Sequence, residues 1–312
     1  MASETTTEDP TRTAPRRDVA RWLFLPMGAA AALFGMLPWL ATGAGLPLQN
    51  LWEGAPGDAP FVLLPFSQYA VSLIAALLIV GALAAGVVGR ALRAATAKGA
   101  TALLLVGVVV VQLVAVAQTA ATVHAGLQVG EEATVYVVGL TAGAVFIVLV
   151  GVCALLLVVR APRGGALIGL VIGAIALGPW TSALIVPFGS VSVEPPAALV
   201  LTPWIAPVLA GAAIAWAGVD SVGRVIAAVA TVIVVWVAPA LLTGVSSALG
   251  TRVYANSPGD MLDYGVNVFG MALLIPELAL RPILATVITA AVGLGIRMLI
   301  ARRSDSPHPV AS

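Results

Sequence analysis

Eight apolar runs follow one another along this chain with short polar turns between them, and each approaches the roughly 20 residues that carry a helix across a bilayer. Such a run dissolves in lipid only as a helix or as part of a closed barrel, because no water is present there to satisfy backbone N–H and C=O groups. The runs are continuous rather than alternating, so the expected fold class is an all-α integral membrane protein, a bundle of about eight transmembrane helices. Composition agrees. Mean hydropathy is +1.06 and only 9% of residues are charged, against about 25% in soluble domains.

The spans are expected at residues 22–42, 63–89, 100–123, 134–159, 165–188, 197–218, 225–249 and 282–300, within one polytopic domain, 22–303. Residues 1–21 mix Thr, Pro and both charge signs with little to bury, which reads as a disordered tail; 304–312 is a second short polar tail. With eight spans, thirteen of the 15 Lys and Arg residues fall on one side, Arg252 and Arg281 being the exceptions. The positive-inside rule then places both termini in the cytoplasm. Val266 to Ile275 is too short to cross and fits an interfacial or re-entrant helix broken at Pro276.

Several functions lack the residues they need. Cys153 is the one cysteine, so neither an intramolecular disulfide nor a thiolate metal cluster can form. There is no Walker loop and no HExxH, and the histidines are His124 and His308 alone, so no cofactor and no metal site is expected. A net charge of +1 gives no field to attract nucleic acid. No acidic or histidine residue falls deep in the first seven spans, which disfavours a proton relay. Outer carboxylates such as Glu53, Asp58, Glu131, Glu132, Asp260 and Asp263 could serve a lipid-linked transferase, but the short loops argue against an enzyme.

The candidate functional residues are polar groups set in apolar surroundings. Thr101, Gln112, Gln118, Thr119 and Thr122 fall within one sector of the third span, with Gln112 at mid-depth. They could line a substrate path or bond to neighbouring helices. Glu277 and Arg281 stand four residues apart, which on a helix allows a pair acting as an outer gate, a ligand contact or an interfacial anchor. Gly165, Gly169 and Gly173, Gly139 and Gly143, and Gly81, Ala85 and Gly89 repeat at the spacing that lets helices approach closely in lipid. Prolines gather in outer halves of spans, either as local kinks or as the wall of a hydrated vestibule. Leu37-Pro38-Trp39 and Gly178-Pro179-Trp180 occupy matching places in the two halves, which suggests a 4+4 parallel repeat.

The phrases LPLQNLW at residues 46–52 and LLPFSQYA at residues 63–70 resemble ones found in uncharacterised multi-pass membrane proteins of high-GC Gram-positive bacteria. The resemblance implies a bacterial plasma membrane and a distinctive first outer loop, and transfers no functional residue. The expected function is a permease for a small or lipid-like substrate, with Gln112, Gln118, Glu277 and Arg281 along its path. The alternative is a non-catalytic subunit or scaffold whose partners are the lipid bilayer and a membrane protein or a second copy of itself.

Overall fold

A computed structural model describes residues 20–304, apart from 48, 50, 51, 53–58, 94–98, 191–193, 195, 252, 255 and 256. Expectations for the two tails and for Asn50, Glu53, Asp58, Lys98, Pro195, Arg252 and His308 lie outside the described residues. Among those described there are nine α-helices: α1 (Phe24–Leu40), α2 (Val71–Ala91), α3 (Ala100–Gly126), α4 (Glu131–Arg160), α5 (Arg163–Ile185), α6 (Thr202–Ala217), α7 (Val222–Gly250), α8 (Pro258–Leu274) and α9 (Pro276–Ser304). Eight of them, all but α8, are long and apolar enough to cross a membrane, α1 and α6 together with the 3-10 turns Arg21–Leu23 and Ala197–Leu201 that lead into them. The chain is a multi-pass helical membrane protein.

Local sequence preference alone would not make some of these helices. Val108 to Val111 in α3 is a β-branched run with reduced helix propensity in water. In lipid the helix wins, because it alone satisfies each backbone group within its own segment. Positive-φ glycines punctuate the turns: Gly99 (φ 91°) precedes α3, and Gly218 (φ 78°) ends α6 with its N–H on the Ile214 carbonyl.

Two span starts differ from expectation by more than three residues. The second span starts at Gln68 rather than residue 63, because residues 61–67 are not helical and pack as a loop. The last starts at Pro276 rather than 282, where proline at the first helical position loses no hydrogen bond. Glu277 and Arg281 therefore belong to the final spanning helix, which runs through Pro282. Residues 266–274 end a longer helix, α8, that retraces α7. Gly265 lies against Gly244, and the Trp236 indole donates to the Leu273 carbonyl at 3.2 Å.

Close backbone approach builds the first half. A side chain on Gly28 of α1 would strike the Leu104 carbonyl of α3, and one on Gly107 of α3 would strike the Leu25 carbonyl of α1. Such contacts supply the dispersion that holds helices together where lipid is as apolar as leucine. α2 stands at the centre, packed on α1, α4 and α5, and 56% of its most apolar window is buried. The second half is thinner: α6 pairs with α9 and α7 with α8, and only 11% of the corresponding window of α9 is buried. Most of α9 therefore faces the surroundings, not the protein.

At one end of the bundle, arginines close off helix C-termini. Arg90 of α2 donates to the Val158 and Ala161 carbonyls at 2.6 and 3.1 Å, and its guanidinium stands 4.9 Å from the Trp216 ring centre. Arg297 of α9 donates to the Ala215 and Trp216 carbonyls at 2.7 and 3.3 Å. The last carbonyls of a helix have no partner within it, and a cation there also meets the negative end of the helix dipole. We call this the arginine end.

Candidate functional site

At the opposite end, the segment joining α1 to α2 folds into the bundle as a cap. Ala44, Leu46, Val62, Leu64 and Phe66 are buried, and the chain doubles back through Leu46 N–H to the Pro60 carbonyl and Val62 N–H to the Ala44 carbonyl, both at 2.8 Å. Pro65 lacks a donor and disfavours helix at Leu64, so the backbone there must find partners outside regular structure. Side chains of the helices supply them. The Trp39 indole donates to the Val62 carbonyl at 2.9 Å.

The polar sector of α3 provides the rest. Gln118 accepts the Leu63 N–H at 3.0 Å through Oε1 and donates to the Phe61 carbonyl at 3.0 Å through Nε2. Thr119 Oγ1 accepts the Leu64 N–H at 3.0 Å. Thr122 donates back to the Gln118 carbonyl at 3.0 Å. Gln118 thus bridges the two peptide groups that flank Val62, accepting from one and donating to the other, and it fixes the register of the cap. Gln49 clips the cap's two arms, with Nε2 donating to the Pro47 and Phe66 carbonyls at 2.8 Å, and its Oε1 accepts the Tyr136 hydroxyl of α4 at 2.7 Å.

Gln112 is 1% exposed, and its Nε2 donates to the Leu78 carbonyl of α2 at 2.7 Å. Its Oε1 is buried with no partner. Of the alternatives for the α3 sector, bonding to neighbouring segments accounts for Gln112, Gln118 and Thr119. Gln112 and Gln118, two of the four residues set along a path, thus hydrogen-bond within the protein.

Glu277 and Arg281 are both exposed on the first turns of α9. Arg224 pairs with Asp220 at 2.7 Å, but no salt bridge joins Glu277 to Arg281. Exposed partners at this spacing gain too little to hold two long side chains in one geometry. The structure brings neither residue to Gln112 or Gln118 by any hydrogen bond or ion pair.

The glycine series divide. A Cβ on Gly169 would lie 2.7 Å from the Ala154 carbonyl of α4, and one on Gly173 would enter the Leu83 side chain of α2, so each sits where two helices meet. Gly165 meets Ala161, only four residues away. Gly139 and Gly143 meet nothing within 4 Å in this chain. α4 turns them outward.

Sequence reasoning singled out Trp39 and Trp180 as marks of a repeat and missed their bonding. Trp180 donates to the Gly35 carbonyl at 2.7 Å and lies 5.2 Å from the Phe34 ring centre, tying α5 to α1. Gln49 and Tyr136 were missed as a pair because their 87-residue separation leaves no local pattern. Among the described residues no group of three or more His, Cys, Asp or Glu could hold a metal ion. Compared with known protein families, curated proteins and solved structures, the chain matches none.

Proposed function

We propose that the protein is a non-catalytic membrane subunit or scaffold, with both termini in the cytoplasm of a bacterial cell, and that it engages another membrane protein or a second copy through the outward face of α4. The observation that carries this reading is the use made of α3. Gln118 and Thr119 hold the cap and Gln112 holds α2, so the side chains best suited to a substrate path already have protein partners. Gly139 and Gly143 leave an open track on α4, flanked by Val138 and Phe146, which are 60% and 65% exposed. A helix from another chain could approach such a track closely. Arg90, Arg93, Arg160, Arg163, Arg224 and Arg297 at one end support the cytoplasmic assignment of that end.

A 4+4 parallel repeat is part of this reading. In support, α1 packs on α2 and α3 while α2 packs on α4; likewise α5 packs on α6 and α7 while α6 packs on α9, with α8 an insertion.

The permease reading keeps one observation in its favour. α8 returns along α7 to Trp236 and breaks at Ile275, the shape of a re-entrant arm beside a pathway. The two readings part in one experiment: purify the C-terminally tagged protein in native lipid discs, alongside Gly139→Leu/Gly143→Leu. A stoichiometric protein partner or homodimer that the double variant loses supports the scaffold. A protein recovered alone whose proteoliposomes take up a solute, with uptake abolished by Gln118→Ala, would replace it with the permease.

A further inference from the structure

α5 and α7 begin side by side at the arginine end, and a groove of about 540 Å³ opens between their first turns. Arg163 and Arg224 stand on it, and Ile168, Ile226 and Ala227 form its apolar wall. Neither helix start is capped by a side chain: Pro162 has none to offer, and Ser221 makes no capping bond. Gly164 and Gly223 keep the first turns bare, with Gly223 facing open space. The first amides of each helix have no partner within it, and the helix dipoles add positive potential at the same place.

The charge in this groove is out of balance. Arg224 pairs with Asp220, whose side chain is 67% exposed, but no hydrogen bond or ion pair joins Arg163 to a described residue. Arg90, at the end of α2, adds like charge near Arg163 rather than a partner for it. An anion is the ligand that such a cluster lacks. The apolar wall narrows the choice, because Ile226 is 63% exposed and continues from the charged mouth along the membrane-facing side of α7. A free anion would leave that wall uncovered, whereas a phospholipid brings phosphate and acyl chain in the same order.

We propose that this groove binds an anionic phospholipid, its phosphate between Arg163 and Arg224 at the paired starts of α5 and α7 and an acyl chain along Ile168, Ile226 and Ala227. Basic recesses between transmembrane helices recognise lipid headgroups in this way. The site stands whether the protein is a scaffold or a permease.

The test is native mass spectrometry of the full chain in detergent, titrated in parallel with phosphatidylglycerol, phosphatidylcholine and inorganic phosphate. Phosphatidylglycerol should bind and phosphatidylcholine should not compete. An arginine near an anionic surface contributes about fivefold, so Arg163→Gln/Arg224→Gln should weaken binding about tenfold or more. Gly223→Leu, which fills the groove and leaves every charge in place, should weaken it as well, and it decides the matter if the double variant fails to fold. Arg21→Gln, at the same end but off the groove, should bind as the parent does. Equal affinity for the two lipids, unchanged binding by the groove variants, or displacement by inorganic phosphate at matched concentration would each overturn the assignment.

Discussion

The side-chain amide of Gln112 donates to the Leu78 carbonyl at 2.7 Å while its own oxygen, equally buried, has no partner. One half of the group stabilises the α2–α3 contact and the other half opposes it. Hydrogen bonds between transmembrane helices average about 0.6 kcal/mol, and a buried unsatisfied acceptor costs about 1–3 kcal/mol. Gln112→Met should therefore be neutral or stabilising by about 1 kcal/mol, as read from thermal unfolding in detergent. A loss above about 2 kcal/mol would mean that the oxygen has a partner after all.

The cap should loosen without the α3 side chains that bind it. Gln118→Ala/Thr119→Val removes the partners of the Leu63 and Leu64 N–H groups and of the Phe61 carbonyl. With a net value of about 1 kcal/mol for each bond, amide exchange at Leu63 and Leu64 should accelerate by about tenfold or more. Unchanged exchange would show that apolar burial of Val62, Leu64 and Phe66 holds the cap by itself.

Glycines that look alike in sequence should respond differently to bulk. Gly173→Leu forces a side chain into Leu83 and should cost about 1–3 kcal/mol as an overpacked contact. Gly139→Leu points into open space and should leave monomer stability within about 0.5 kcal/mol. A large loss at Gly139 in a strictly monomeric preparation would mean that α4 packs differently.

Glu277 and Arg281 should behave as independent exposed residues. In a double-mutant cycle of Glu277→Gln and Arg281→Gln the effects on stability should add within about 0.3–0.5 kcal/mol. A coupling above about 1 kcal/mol would show a pair in solution that the side-chain positions do not form.

The spans were legible because lipid leaves the backbone little choice, so length and apolarity alone set Ala100–Gly126 or Glu131–Arg160 as helices, even through a valine run. The break at Pro276 was legible for a similar local reason, the missing proline donor. The cap was not. Residues 63–67 read as the start of a span because they are largely apolar, and Leu64 and Phe66 are apolar because they are buried against α1, α3 and α4.

Sequence by itself thus determined what depends on each segment's own solvent: which runs enter lipid, where turns fall, and which chemistries have no residues to perform them. Tertiary structure decided everything that depends on what a given side chain faces. Gly139 and Gly173 share a spacing rule, yet only one meets a neighbour. Gln118 and Arg163 are each one polar residue in an apolar chain. Packing joins the first to a peptide unit 55 residues away and leaves the second at the mouth of a groove between two helix starts. Periodicity gives the direction of a side chain about its own helix; the neighbour it meets is set by contacts between segments far apart in sequence, on which local pattern carries no information.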